Sequence, residues 1–115
     1  MHYELHQVFD PDSSTFTYVL VDRAAAEAVL VDSVAQRFDR DVAMLQRLGV
    51  TLRYVVETHT HADHVTAAGR LRDATGAVTA APFKCGISRA DVQLAHGDTL
   101  QFGYAEVLRA ELDLI

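Results

Sequence analysis

Hydrophobic and polar residues alternate along the first part of the chain, which is the pattern of strands with one buried face. Residues 2–9 carry this alternation; residues 15–22, rich in β-branched and aromatic residues, predict a second strand, and residues 27–32 predict a third. The turn-forming run DPDSS, residues 10–14, separates the first two segments. We therefore predict a meander of three antiparallel strands.

The hydrophobic spacing then changes to that of a helix. Between Phe38 and Leu48 apolar residues recur at intervals of four, three and three, and Gly49 follows where a helix would end. This spacing predicts an amphipathic helix over residues 37–48. The next segment, TLRYVVET at residues 51–58, is rich in β-branched and aromatic residues and predicts a buried strand.

Weaker signals follow in the second half of the chain. We predict a helix over residues 65–75, a short strand at 77–81, a loop at 82–91 and a strand at 98–103. The last segment, residues 104–115, fits two structures. Its YAEVL run favours a second strand of a hairpin, whereas its leucine spacing favours a helix.

Composition narrows the function classes. A length of 115 residues fits one domain spanning residues 1–115. The net charge of -6, with no cluster of Lys and Arg, disfavours nucleic acid and anionic membranes as partners. No apolar run approaches the ~20 residues of a membrane-spanning helix. With no leader pattern and with Cys85 as the single cysteine, we expect a reducing compartment, the cytoplasm.

The densest group of possible ligands lies in VVETHTHADHVTAAG, residues 55–69, between a predicted strand and a predicted helix. His59, His61, Asp63 and His64 fall within six residues. Residues two apart in an extended segment point the same way, so His59 and His61 can direct imidazole nitrogens at one ion. The alternative is a solvated loop in which Asp63 caps the helix. The specificity of the pattern favours a metal site.

The segment THTHADHVTAAG resembles the signature of the metallo-β-lactamase superfamily, whose members are αββα sandwiches. The alanine before Asp63 and the VTAAG after His64 are most similar to its persulfide dioxygenase branch, which is related to glyoxalase II hydrolases. FDPDSSTFTYVLVD, LRDATGA and HGDTLQFG occur in the order expected for that branch, so the resemblance covers about residues 5–103. It implies an α/β (α+β) fold, half of the sandwich, with one mixed β-sheet and helices on one face.

The resemblance also implies chemistry. In that branch two histidines and a carboxylate hold one iron(II), which leaves positions open for substrate and O2. Glutathione persulfide is oxidised there to sulfite and glutathione. Only His59 matches one of those three iron ligands. In zinc members His59 and His61 would hold one zinc(II), Asp63 and His64 a second, and metal-bound hydroxide attacks a thioester or lactone carbonyl. Asp63 is also the candidate catalytic residue.

The similarity stops before the family's later ligands. In the family the strand after HGDTLQFG leads to a TPGHT-like turn with the next ligand histidine, whereas this sequence continues YAEVLRAELDLI. Three interpretations therefore stay open: an iron-dependent persulfide dioxygenase, a non-catalytic half-fold, and a zinc-dependent glyoxalase II-type hydrolase. An uncovered sheet face would expose more apolar surface than monomers tolerate, so we expect a homodimer through that face.

Other candidate ligands carry weaker signals. Cys85 fits a small packing residue better than a nucleophile or soft ligand. His96, in the turn HGD, is expected to be a turn residue, although it lies late enough in the chain to act as a further ligand. His2 and His6 share one face of a predicted strand with Glu4 and are expected to be solvated.

Two aspartates at the ends of predicted elements have two possible roles each. Asp32 could hydrogen-bond a motif histidine and set its orientation, or simply form the turn at the end of its strand. Asp98 is either a turn former or a loop anchor. The apolar residues that alternate along the second predicted strand are expected to fill the core: Phe16, Tyr18 and Leu20.

Overall fold

A six-stranded mixed sheet organises the fold. The computed structural model describes residues 3–58, 66–82, 90–95, 97–102 and 105–109. The first three strands pair antiparallel, which confirms the predicted meander. Strands three to six pair parallel. The strands lie side by side in sequence order: β1 (Tyr3–Asp10), β2 (Thr15–Asp22), β3 (Glu27–Val31), β4 (Thr51–Val56), β5 (Val78–Pro82) and β6 (Val92–Leu94).

Two helices make the first two parallel connections. α1 (Phe38–Leu48), preceded by a 3-10 turn (Ala35–Arg37), joins β3 to β4, and α2 (Ala68–Thr75) joins β4 to β5. Gly49 and Gly76 end them in the left-handed conformation, with φ of 70° and 77°, which glycine adopts at no steric cost. Both predicted helix stops are confirmed, whereas α2 begins three residues later than the predicted helix. Neither helix of the described part has the length and hydropathy to cross a membrane.

The main core lies between the helices and one face of the sheet. Both helices pack against this face, which confirms the prediction that the helices lie on one side. The sheet and the helices contribute fully or almost fully buried residues: Val19, Val21, Leu30, Leu52, Val55, Met44, Leu45 and Leu71.

A hairpin covers the middle of the opposite face. Its strands are β7 (Thr99–Phe102) and β8 (Ala105–Arg109), paired antiparallel. The last segment thus forms a strand over residues 105–109, as its YAEVL run indicated. Leu100 of the hairpin is buried in a second apolar cluster on this face, with Val29, Val56, Ala80 and Leu94.

The short strand β6 lies directly after the predicted loop at residues 82–91, in a segment for which the sequence predicted no strand. Periodicity cannot identify a strand of three residues, because VQL contains a single apolar–polar–apolar step. Pairing with β5, from Ala80 to Pro82, is what makes the segment a strand. The element therefore depends on a tertiary neighbour rather than on its own sequence.

The prediction that Phe16, Tyr18 and Leu20 fill the core is wrong for Phe16, whereas Leu20 packs, half-buried, against the apolar cluster on the face away from the helices. Val19 and Val21, which alternate with them, face the helices and are fully buried. Phe16 is 46% exposed, and Tyr18 and Leu20 are half-buried on the opposite face. Alternation predicts a strand with two different faces, but here both faces of β2 carry apolar residues, so the pattern cannot decide which one is covered.

Exposed and half-buried apolar residues of β1 and β2 share the face away from the helices and are here called the apolar strip. Leu5 is opposite Leu20 and Phe9 is opposite Phe16 in the strand pairing, so their side chains share the face away from the helices. The Phe9 and Phe16 rings lie with centroids 4.7 Å apart. The apolar strip consists of Leu5, Phe9, Phe16, Tyr18 and Leu20.

Charged side chains fasten the outer strand β1 to the rest of the fold. The Arg23 guanidinium donates two hydrogen bonds to the Glu4 carboxylate, at 3.0 and 2.9 Å, and one to the Leu48 carbonyl at the end of α1, at 2.6 Å. His6 is half-buried, with its Nε2 3.2 Å from a Glu4 oxygen, so it is less solvated than expected. Hydrogen bonds from Arg23, and then from His6, lower the pKa of Glu4 to about 2.

This arrangement predicts how the stability of a Glu4→Gln variant depends on pH. A carboxylate whose pKa is lowered on folding stabilises the fold fully above its ordinary pKa of 4.5, and that contribution is lost as pH falls towards 2. We therefore expect wild type to unfold at a higher temperature than the variant at pH 6, with the difference shrinking between pH 4.5 and 2. Thermal unfolding followed by circular dichroism measures it. A difference that stays constant over this range would contradict the assignment.

Candidate metal centre

Residues 59–65, here called the motif segment, follow β4 at the carboxyl edge of the parallel strands. β3, β4 and β5 run parallel, so the segments after Val31, Val56 and Pro82 begin at the same edge. Ligands of α/β proteins usually bind at this edge. Residues 59–65 lie outside the described residues, and they contain the predicted ligands His59, His61, Asp63 and His64. His2, Cys85 and His96 also lie outside the described residues.

The Asp32 carboxylate holds the residue that directly precedes His59. The Thr58 backbone N–H donates to Asp32 Oδ1 at 2.8 Å, and the Thr58 hydroxyl donates to Asp32 Oδ2 at 2.6 Å. Asp32 is buried, so these bonds form in a low-dielectric environment that strengthens them. The hydrogen bond considered from Asp32 to a motif histidine concerns residues outside the described ones and stays a prediction; within the described residues the Asp32 carboxylate binds Thr58.

The backbone of Asp32 fixes the direction of this carboxylate. Its N–H donates to the Val56 carbonyl at 2.8 Å, and its carbonyl accepts a hydrogen bond from the buried Thr17 hydroxyl at 2.7 Å. Asp32 has a φ of 58°, in the left-handed region, which aspartate adopts more readily than most residues. Hydrogen bonds on both sides of the residue hold it in this conformation.

Ser33 holds the far end of the motif segment. Its hydroxyl oxygen accepts a hydrogen bond from the Ala67 backbone N–H at 3.0 Å, and both residues are fully buried. Consecutive residues at the end of β3 thus hold Thr58 on one side of residues 59–65 and Ala67 on the other. Sequence reasoning missed Ser33, because a serine after a strand has no local pattern that indicates a partner 34 residues away.

The neighbouring connections are held in the same way. Thr79 donates from its backbone N–H and its hydroxyl to Asp91 Oδ2, at 3.0 and 3.1 Å. These bonds, the backbone one first, lower the pKa of Asp91. Asp98 accepts the Ala95 N–H at 2.8 Å and donates its own N–H to the Ala95 carbonyl, so it is a turn former.

Within the described residues, no three His, Cys, Asp or Glu side chains lie close enough together to hold a metal ion. A metal centre in this chain would therefore need ligands from outside the described residues, and residues 59–65 carry four of the candidates. The described residues Asp32, Ser33 and Thr58 surround that segment without themselves forming such a group. They act on the ends of the segment through hydrogen bonds.

Comparison with known proteins identifies the family. The model of the metallo-beta-lactamase superfamily matches residues 10–82, more than half of the chain. The chain belongs to this superfamily. The resemblance of THTHADHVTAAG and its flanks is thereby confirmed, and so is the predicted half-sandwich fold with its mixed sheet.

Similar proteins include members with assigned activities. The human mitochondrial persulfide dioxygenase ETHE1 is 41% identical over 99 residues, which cover 86% of this chain and 39% of that protein. The crystal structure of ETHE1 from Myxococcus xanthus matches with a TM-score of 0.84 and 44% identity, over 88% of this chain and 44% of that one. A hydroxyacylglutathione hydrolase of Bradyrhizobium is 32% identical over 84% of this chain and 38% of its own length. The chain thus spans about two fifths of these curated relatives.

The tie between Asp32 and Thr58 predicts a measurable loss of stability in an Asp32→Asn variant. Asparagine tolerates the left-handed backbone and keeps one acceptor oxygen, but its NH2 group cannot accept the second hydrogen bond. We expect a loss of about 1–2 kcal/mol in the free energy of unfolding, measured by urea denaturation. Asp98→Asn, at an exposed turn, is the matched control and should cost less than about 0.5 kcal/mol. Equal losses in the two variants would contradict the prediction.

Proposed function

We propose that this chain is part of an iron-dependent persulfide dioxygenase, which oxidises glutathione persulfide with O2 to sulfite and glutathione. The observation that carries the proposal is the 41% identity to human persulfide dioxygenase over 99 residues. The fold adds support, because the 44% identical Myxococcus protein has the same arrangement. The activity is that of relatives of which this chain spans about two fifths, so it is proposed for the whole protein.

The donor chemistry of the motif fits such a metal. Histidine and carboxylate are the ligands of non-haem iron(II) oxygenases, and the same groups bind zinc(II). We propose that His59 holds the metal, with His61, Asp63 and His64 as further candidate ligands and Asp63 as the candidate catalytic carboxylate. When bound, iron(II) would supply the activation of O2. The buried hydrogen bonds of Asp32 and Ser33 support the proposal, because they hold both ends of the segment that carries these four residues.

Two other functions have support of their own. A zinc-dependent hydrolase of the glyoxalase II type, which cleaves a thioester, is supported by the 32% identity to a hydroxyacylglutathione hydrolase. A non-catalytic half-fold that self-associates is supported by the exposed Leu5, Phe9 and Phe16 of the apolar strip, and it would bind metal weakly without turnover. The dioxygenase is preferred because the sequence identity to its relative, 41%, is higher than the 32% identity to the hydrolase.

Metal analysis and two activity assays separate these functions. The whole protein is purified without chelators, its iron and zinc are measured, and it is tested for O2 uptake on glutathione persulfide and for hydrolysis of a glutathione thioester. Iron at one per chain with O2 uptake supports the dioxygenase. Zinc with thioester cleavage overturns it in favour of the hydrolase, and absence of both metal and turnover overturns it in favour of the non-catalytic half-fold.

We further propose that two copies of this chain associate through the apolar strip. Leu5 is 65% exposed and Phe9 and Phe16 are each 46% exposed, while the β7–β8 hairpin packs over the neighbouring part of the same face. Exposed apolar side chains are stabilised by burial against another apolar surface, although the exposed polar residue Gln7 lies between Leu5 and Phe9. A second copy supplies a matching surface at the same concentration. Light scattering after size-exclusion chromatography should give twice 12.7 kDa, and a monomer at all concentrations would overturn this proposal.

The compartment that we propose is the cytoplasm. The single cysteine, Cys85, forms no disulfide within the chain and suits a reducing environment. The human relative is named as mitochondrial, so imaging of the tagged protein in its own cell decides the question.

A further inference from the structure

We infer that Ser33 is a positioning residue for the motif segment, fixing its exit as Asp32 fixes its entry. The inference rests on the proposed metal function, since it says how this chain would hold its ligands ready. The following observations concern the described residues on either side of 59–65.

The first observation is the buried contact itself. The Ser33 hydroxyl and the Ala67 N–H are both fully buried and lie 3.0 Å apart. An amide removed from water without a partner costs about 1–3 kcal/mol, so this hydroxyl is the acceptor that makes burial of Ala67 possible. The position of Ala67 is therefore coupled to that of Ser33.

The second observation is that Ala67 is also the N-cap residue of α2. The Ala67 carbonyl accepts the Leu71 N–H at 2.9 Å, the first hydrogen bond of α2, and the helix has no side-chain cap from its own N-cap residue. Helix starts normally leave backbone N–H groups that a side chain or water must satisfy. Ser33 supplies such an acceptor from another element. It thereby fastens the start of α2 to the carboxyl edge of the sheet.

The third observation is that both anchors come from one rigid piece of chain. Asp32 and Ser33 are consecutive, and hydrogen bonds to Thr17 and Val56 hold Asp32 in place. Thr58 and Ala67 are thus each hydrogen-bonded to one of two neighbouring residues at the end of β3. Residues 59–65 must connect two ends that are already fixed.

Fixing both ends matters for a metal site because ordering a loop costs conformational entropy. A segment with fixed ends has fewer conformations to lose when its ligands converge on an ion, so binding costs less. Groups that orient metal ligands from outside typically change metal affinity 10–100-fold when they are removed. Loss of the Ser33 hydroxyl should therefore affect the motif segment more than it affects the rest of the fold.

The test compares Ser33→Ala with two other variants. Ser33→Thr keeps a hydroxyl that can accept the Ala67 N–H, so it should restore the behaviour of wild type. Thr79→Val is the matched control, because it also removes a buried hydroxyl that bonds to a distant residue. The Thr79 hydroxyl lies on β5 and bonds to Asp91, which precedes β6. If Ser33→Ala does not fold, Ser33→Cys replaces it, since sulfur is a weak acceptor of similar size.

Two measurements are made on each variant. Hydrogen exchange of residues 57–69 in the metal-free protein reports the fixation of the segment, and competition with a chromophoric chelator gives the affinity for zinc(II). In Ser33→Ala we expect exchange to be about fivefold to tenfold faster, as for the loss of one hydrogen bond. We expect the zinc(II) dissociation constant to rise roughly 10–100-fold. Thr79→Val and Ser33→Thr should leave both quantities within about twofold of wild type, the margin of a variant with no direct tie to the segment.

The outcomes keep the inference apart from the proposed function. Unchanged exchange in Ser33→Ala overturns the inference, and so do equal changes in Ser33→Ala and Thr79→Val, which would indicate a general loss of stability. If wild type binds neither iron nor zinc, the proposed metal function fails. The exchange measurement then still decides whether Ser33 positions the segment, because it is made without metal.

Discussion

Replacing His59 with Ala is expected to leave the protein without measurable bound metal after purification in the absence of chelators. In the proposed site, His59 is the one motif residue that the family resemblance places in the ligand set of both the iron and the zinc forms. Removal of a ligand from a set of three or four leaves too few donors to hold the ion against water and buffer. Atomic absorption on wild type and variant, at equal protein concentration, measures the result. Stoichiometric metal in His59→Ala would show that the ligand assignment is wrong.

Two further histidine variants make this experiment specific. His6→Ala is the matched control, because His6 lies on β1, next to Glu4, and not in the motif segment. It should keep the metal content of wild type. His61→Ala distinguishes the metals, since His61 is a ligand only in the zinc form that the resemblance implies. Loss of metal in His61→Ala would therefore favour the hydrolase over the dioxygenase.

Local periodicity was sufficient for the elements that have enough residues to show a period. α1 and β2 were predicted within one residue, because a helix of 11 residues and a strand of eight repeat their pattern several times. β6 was missed because a three-residue strand has no period to detect. The covered face of β2 was predicted wrongly because both of its faces are apolar. Which face is buried depends on where the helices pack, and that is a property of the whole chain.

The candidate centre was likewise predicted from the sequence only in part. Its place after β4 followed from the sequence, since a strand, a histidine-rich segment and a helix occur in that order. The tie from Asp32 to Thr58 was only partly anticipated, and the tie from Ser33 to Ala67 not at all. Both join residues more than 25 positions apart in the sequence, and neither a carboxylate nor a hydroxyl after a strand indicates its partner. Such contacts exist only once the parallel strands bring these residues to one edge.

The buried face of the sheet gives the second large expected effect. Leu30 lies in the middle of β3, is fully buried and belongs to the core beneath the helices. Leu30→Ala removes three carbon atoms and leaves a cavity that strands on both sides of β3 prevent from closing. Substitutions of this kind cost about 2–5 kcal/mol. Urea denaturation should show this loss in the free energy of unfolding, and a loss below about 1 kcal/mol, typical of a surface position, would contradict the packing described for β3.

Leu5→Ala is the matched variant for the other face, and the comparison separates folding from association. Leu5 is 65% exposed, so a single folded chain loses little when it is truncated, at most about 0.5 kcal/mol. If two copies bury the apolar strip, the same substitution weakens the dimer, because apolar area on both partners is lost at once. Leu30→Ala should therefore lower stability at every protein concentration, whereas Leu5→Ala should lower it only where wild type is dimeric. A concentration-independent loss in Leu5→Ala would mean that this leucine stabilises the single chain instead.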